Sequence, residues 1–211
     1  MSMPPIAIVA QACVLPDALN PDALYQLIRE RRTAIRGVAR DRWEADPHSR
    51  IDPSGRAGTV VSDQGGYVRG FDEVFDPHAF DDRVPDLDKL DVVFQWVLHA
   101  ASEAFRSVRG SEINRRTSLI LGNLSYPSAE LVRLSRSFWQ QQSGVTAAEP
   151  LANFDLRNRF HSSQIATLTA ECLQLGGNAY CLDAACASSL YAIQLACDEL
   201  LRGDADLVLA G

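Results

Sequence analysis

The chain has 211 residues, of which 46% are hydrophobic and 22% charged, enough length for one domain with a sizeable core and the balance of an ordinary globular protein rather than a disordered or fibrous one. A formal net charge of -7 argues against a nucleic-acid binder, because gripping a phosphate backbone takes a cationic surface that releases counterions. No apolar run approaches the roughly 18 residues of a membrane span, and "MSMPPIAIVAQACVLP" lacks the basic start of a signal peptide, so a cytoplasmic protein with no membrane span is expected.

In chain order, "PIAIVA" reads as a short buried strand. "NPDALYQLIRERR" reads as a helix: Asn20 can cap it, Pro21 suits its first position, Leu24, Leu27 and Ile28 share a face, and arginines close the last turn. Six arginines fall between Arg29 and Arg42, but Glu30, Asp41 and Glu44 are interspersed, which is the pattern of a solvated face. Residues 33 to about 85, punctuated by Gly37, Gly55, Gly58, Gly70, Pro47, Pro53, Pro77 and Pro85, predict a long irregular excursion. Such segments inside compact domains usually carry function or an interface.

From Asp88 the pattern changes. Leu90, Val93, Phe94, Val97, Leu98, Ala101, Ala104, Phe105 and Val108 hold a helical stripe over several turns. "TSLILGN" then reads as a strand, "SAELVRLSRSFW" as an amphipathic helix and "QQQSGVTAAEP" as a polar connection. "QIATLTAECLQL" is a further helix, which Gly176 and Gly177 stop, one of them expected as the left-handed cap. "AYCLD" and "ADLVLAG" are strand-like runs flanking a helix from about Ala184 to Leu201, with Gly203 just past its end. A strand, helix and strand at this spacing form a βαβ unit, so the fold class is α/β, with a largely parallel sheet covered by helices on both faces. No internal repeat or domain linker is visible.

Five cysteines form an odd set without a CxxC pair, and the four histidines, His48, His78, His99 and His161, are scattered singly. Neither a disulfide framework nor a metal site is expected. Cys186 stands apart. It lies at a strand-to-helix junction among Ala184, Ala185, Ala187, Ser188 and Ser189, small residues that let a slender ligand or a second backbone come close. Free N–H groups and the dipole of a helix start favour a thiolate there, and a backbone N–H can face a developing oxyanion. The same run also suits a close-packed core helix that happens to contain a thiol, and the residues by themselves leave both readings open. Leu190, Tyr191, Ile193, Leu195, Leu200 and Leu201 point in several directions, so the helix is expected to be buried. Cys13, Cys172, Cys181 and Cys197 lack the small-residue surround and read as structural.

"LDAACASSLYAIQLACDELLRGDADLVLAG" resembles the active-site signature of the β-ketoacyl synthases, an Asp-Thr-Ala-Cys-Ser-Ser-Ser-Leu type motif carrying the acyl-accepting cysteine, and Cys186 falls on that position. "IAIVAQACVLPDALNPDALYQLIRERRTAIRGVARDRW" resembles the family's opening strand, first helix and following segment, and "FDEVFDP" its approach to the long helix. Ala184 and Ala187 depart from the usual threonine and serine, and "PDLDKLDVVFQWVLHAA" replaces the Asp-Pro-Gln-Gln-Arg pattern of modular polyketide synthases. With "LILGNLSYPS", these departures look more like ketosynthases of the polyunsaturated-fatty-acid type.

The resemblance implies the N-terminal half of a thiolase-like fold over residues 1–211, with Cys186 as nucleophile and its backbone N–H as oxyanion donor. It implies no directly bound cofactor, acyl and malonyl substrates carried on the phosphopantetheine of an acyl carrier protein, decarboxylative condensation, and a homodimer. The family's two assisting histidines belong to its second half, and His48, His78, His99 and His161 match neither, so the chain reads as a truncated first half that alone does not condense and is poorly soluble. Met1 lies only a few residues before "IAIVA", which leads to the expectation that the natural protein begins here. A thiolase-type acyltransferase using coenzyme A thioesters, and a non-catalytic half that completes a partner chain, are the alternatives.

Overall fold

The computed structural model describes residues 4–40, 42–43, 46–108, 113–124, 128–144 and 154–211. Most of the expected polar connection after residue 140 lies outside these, as does the middle of "LSYPS". The described residues form two compact units, one spanning residues 12–74 and the other residues 75–211 together with 4–11.

The smaller unit is built from short pieces, as its glycines and prolines require. Helix α1 (Pro21–Arg29) begins where the sequence places it: the Asn20 side chain accepts the Ala23 N–H at 2.8 Å and Pro21 occupies the first turn. Strand β1 (Ile35–Arg36) pairs antiparallel with β2 (Gly65–Gly66), and α2 (Pro47–Arg50) is a single turn capped by Asp46. Arg36 pairs with Asp17 and Arg32 with Glu30 on the surface, the solvated role expected of the arginine run.

The larger unit carries the sheet. Its elements are α3 (Val92–Arg106), β3 (Thr117–Gly122), α4 (Ala129–Gln142), α5 (His161–Leu173), β4 (Ala179–Leu182), α6 (Ser188–Arg202) and β5 (Leu207–Ala210). The strands run in the order β4-β3-β5 and both ladders are parallel, with Ile120 opposite Tyr180 and Ser118 opposite Val208. Alternation along the pleat then sorts the side chains onto two faces. Ile120, Tyr180, Leu182 and Val208 pack against Ala192 and Ala196 of α6. On the opposite face, Leu121 joins a core of Phe94 and Leu98 from α3, Ile165, Leu168 and Cys172 from α5, and Phe80, Val84, Leu87 and Leu90 from the segment before α3. Helices therefore cover both faces of a parallel sheet, the architecture the βαβ spacing demands.

Four local expectations are corrected. "PIAIVA" forms no ladder with any described strand, and Ile8 and Val9 are exposed at 82% and 59%; an apolar run makes a strand only where an edge is available to pair with it. Helix α3 starts at Val92 rather than Asp88, because the Asp91 carboxylate takes the Val93 N–H and holds Asp91 itself out of the helix, leaving residues 87–89 as a separate 3-10 turn. At the end of α5 the left-handed residue is Gln174 (φ 55°), with Leu175 N–H returning to the Ala170 carbonyl. Gly176 and Gly177 serve close approach instead, since a Cβ on either would fall 2.7 and 2.6 Å from the carbonyls of Arg115 and Thr117. Finally, α6 buries Ser188, Ala192, Ala196 and Glu199 and packs Leu195 beside them, while Leu190, Tyr191 and Ile193 are exposed at 70%, 56% and 51%, so the helix is not buried all round. Gly203, by contrast, takes the left-handed cap expected of it (φ 72°).

One buried carboxylate fastens several of these pieces. Asp91 accepts the N–H of Val93 at the start of α3 and of Glu130 at the start of α4, each at 3.3 Å, and its own N–H donates to the fully buried Asn158 at 2.9 Å. Asn158 in turn donates to the Lys89 carbonyl at 3.1 Å. Replacing Asp91 with Ala removes the cap of α3 and one acceptor at the start of α4, where Ser128 still takes the Leu131 N–H, and should lower unfolding free energy by about 1–2 kcal/mol; the shift in urea midpoint relative to the parent chain measures it.

Candidate active site

Strand β4 ends at Leu182, and the chain then turns back over the sheet into α6. Asp183 accepts the N–H of Ala185 at 2.9 Å, and Ala185 sits in the left-handed region at φ 50°, a conformation that costs a residue with a Cβ. Residues Ala185–Ala187 form a 3-10 turn, and the α-helix proper begins at Ser188. The helix thus starts four residues later than the sequence suggests, because Ser188 competes for the backbone. Its hydroxyl accepts the Ala184 N–H at 2.9 Å and donates to the Ala185 carbonyl at 2.7 Å, drawing this stretch into a tighter turn.

Cys186 occupies the middle of that turn and is, among the described residues, the exposed cysteine. Around it the N–H groups of Ala184, Ala185 and Ala187 are taken by Ser188, Asp183 and the Ala184 carbonyl. The N–H of Cys186 belongs to the opening residues that a helical turn leaves without an internal acceptor. A thiol and a backbone donor without an internal acceptor on one residue are the parts that acyl transfer requires: a nucleophile, and a hydrogen bond for the oxyanion that its attack creates.

The turn is seated by a contact between backbones. A Cβ on Gly122, the last residue of β3, would lie 2.7 Å from both the Ser188 carbonyl carbon and the Ser189 nitrogen. Only a residue without a side chain lets the start of α6 come down onto the end of the central strand. Sequence reasoning singled out neither Gly122 nor the Ser188 hydroxyl. A glycine closing the "TSLILG" strand pattern was the available signal for the first; nothing local distinguishes Ser188 from Ser189.

The other cysteines are poor competitors. Burial pushes the Cys172 thiol up to about 11 and also raises those of Cys13 and Cys181. The described histidine side chains have separate roles. His78 is exposed and bonds Asp81 at 2.9 Å, which raises its pKa. His99 stands edge-on to Phe75 at 5.9 Å, where burial lowers its pKa, and His48 is exposed on α2. The side chain of His161 lies outside the described residues. Among the described residues no group of three or more His, Cys, Asp or Glu could hold a metal ion, and no helix is long and apolar enough to cross a membrane.

Comparison with known proteins places this geometry. The model of the family "Beta-ketoacyl synthase, N-terminal domain" matches residues 3–211, and the chain belongs to this family. It is 30% identical over 210 residues to a non-reducing polyketide synthase of Zymoseptoria tritici, covering 98% of this chain and 9% of that protein. It is 31% identical over 216 residues to the mycoketide-CoA synthase of Mycobacterium tuberculosis, covering 98% of this chain and 5% of that one. Among solved structures, one described as the PfaC keto synthase-chain length factor superposes with a TM-score of 0.85 at 28% identity, over 97% of this chain and 23% of the other. An oxazolomycin ketosynthase domain from Streptomyces albus shares the fold, with a TM-score of 0.74 at 24% identity over 97% of this chain and 34% of that one. The fold is therefore the thiolase-like α/β fold of the ketosynthases, and the chain spans less than a tenth of the length of the two synthases named here.

Two outcomes test the site. Limiting iodoacetamide at neutral pH should label Cys186 ahead of the other four cysteines, because it is the exposed one and alkylation needs access to the sulfur; peptide mapping reads the order. Gly122→Ala forces a Cβ into the Ser188 backbone, and overpacking of this kind costs about 1–3 kcal/mol. The variant should lose that much stability in urea and label more slowly at Cys186.

Proposed function

We propose that this chain carries the nucleophile of a β-ketoacyl-[acyl-carrier-protein] synthase, and that Cys186 is its acyl acceptor. The observation that carries the proposal is the exposed Cys186 on the strained turn between β4 and α6, in a chain whose family is that of condensing enzymes. The Cys186 thiolate attacks the carbonyl of an acyl thioester presented on the phosphopantetheine of an acyl carrier protein. The tetrahedral oxyanion accepts a hydrogen bond from the Cys186 N–H, then collapses and expels the carrier thiolate, leaving an acyl group on the sulfur. A malonyl thioester next loses carbon dioxide. The resulting enolate attacks the acyl carbonyl and releases the Cys186 thiolate together with a β-ketoacyl thioester.

Residues 1–211 constitute the N-terminal region of this domain, the working enzyme is a cytoplasmic homodimer, and the groups that assist decarboxylation come from outside these residues. Support for the last point comes from the described histidine side chains: His48 is exposed on α2, His78 bonds Asp81 and His99 stands against Phe75. The long exposed apolar side chains on the outer face of α6 support a covering layer in the assembled enzyme.

Cys186→Ala removes one sulfur from a small-residue turn, so the fold should persist while acyl transfer from an acyl carrier protein falls by at least about a thousandfold, the scale seen when a covalent nucleophile is deleted. Intact-protein mass spectrometry after incubation with an acyl carrier-protein thioester measures it. Undiminished loading of the variant would refute the assignment. Loading from coenzyme A thioesters but not from carrier-protein thioesters would point to a thiolase-type enzyme, and no loading of the parent from either would point to a non-catalytic half.

A further inference from the structure

We infer that Ser188 is a positioning residue for Cys186: its hydroxyl is the latch that holds Ala185 in the left-handed conformation and so aims the thiol and N–H of Cys186 outward. This rests on Cys186 being the nucleophile. The argument begins with the backbone. Ala185 has φ 50°, where an alanine is disfavoured relative to glycine, so something nearby must compensate for it. Ser188 is the residue with the reach. Its buried hydroxyl accepts from the Ala184 N–H at 2.9 Å and donates to the Ala185 carbonyl at 2.7 Å, bridging the peptide group before Ala184 and the one after Ala185 and so spanning the strained residue.

Asp183 holds the same residue from the other direction, through the Ala185 N–H at 2.9 Å, but it is exposed and its bond competes with water. The Ser188 hydroxyl cannot drift. The backbone of its own residue is pressed against Gly122 at the end of β3, where even a methyl group has no room, so the sheet fixes the latch and the latch fixes the turn. Without the hydroxyl, Ala185 can relax to negative φ, and the chain would run into α6 with Cys186 rotated from its present direction. Small residues flank the sulfur on both sides, so no packing would oppose that rotation.

The test separates this role from ordinary packing by asking for rescue. In the intact protein, Ser188→Ala should slow iodoacetamide labelling of Cys186 about tenfold, the population shift expected from losing one or two hydrogen bonds. Adding Ala185→Gly to that variant should restore labelling to within about twofold, since glycine takes positive φ without help and needs no latch. Ala185→Gly alone should keep or raise the thermal midpoint, which tests the strain even if Ser188→Ala fails to fold; a fall in midpoint overturns the inference. Ser188→Ala that labels as fast as the parent, or slow labelling that Ala185→Gly does not restore, overturns it as well, while leaving Cys186 as the nucleophile. A parent that labels at Cys13 or Cys172 in place of Cys186 overturns the nucleophile assignment and this inference with it.

Discussion

The approach of the α6 backbone to the end of β3 at Gly122 is the constraint on which the rest of the larger unit depends. Two backbones within ordinary contact distance leave no volume for a side chain on the strand, and little on the helix. The sheet-facing positions of α6 are accordingly Ser188, Ala192 and Ala196, spaced one turn apart along one stripe. Because the helix lies so close, the strands on either side must supply the apolar cover, which Tyr180, Leu182 and Val208 do. Leu190, Tyr191 and Ile193 of α6 are left to point the other way, and the turn before it stands clear at the carboxyl end of the parallel strands. Ligands of open parallel sheets gather at that end, where helix starts and loops converge.

Polar pins hold this arrangement in register. At the opposite end of the sheet the Asn178 N–H donates to the Ser118 hydroxyl at 3.1 Å, and its side-chain amide donates to the buried Glu199 at 3.1 Å. The last turn of α6 is thereby tied to the start of β4, while Gly122 and Ser188 tie its first turn to the end of β3. A helix fixed at both ends cannot slide along the sheet, and a one-residue slip of any strand would move these buried groups away from their partners. Asp91 and Asn158 perform the corresponding task on the other face, joining α3, α4 and the segment before α5. Ser118, Asp91 and Asn158 are short buried polar side chains that satisfy backbone groups which a helix end or a strand start would otherwise leave unpaired.

Backbone strain meets an exposed thiol at the turn before α6. Ala185 carries an unfavourable backbone conformation next to the exposed thiol, and buried hydrogen bonds from elements already locked together hold it there. Such strain persists only when the surroundings over-determine it, and it gathers where reactive groups must be presented. The outer face of α6, with Leu190 and Ile193 one turn apart, continues the exposed surface away from Cys186 and gives the helix a second apolar side that this unit does not cover.

Much of this was readable in the sequence. Short apolar runs marked β3, β4 and β5, the 3.6-residue stripe marked α3, Asn20 and Gly203 marked helix ends, and the βαβ spacing required a parallel sheet with helices on both faces, because each signal is local and each reflects backbone sterics or a buried face. The candidate nucleophile, Cys186, was legible for a similar reason: its small neighbours and its place at a strand-to-helix junction lie within a few residues of it. What the sequence could not disclose depends on partners distant along the chain. Whether "PIAIVA" pairs depends on an available strand edge, where α3 begins depends on what the Asp91 carboxylate captures, and Gly176 and Gly177 are required by the carbonyls of Arg115 and Thr117 rather than by the helix before them. Ser188 and Ser189 look alike in the sequence, yet one is buried against Gly122 and grips the turn while the other faces solvent. Local order thus followed from the residues themselves, whereas the setting of Cys186 was decided by a contact between two backbones far apart in the chain, which no periodicity encodes.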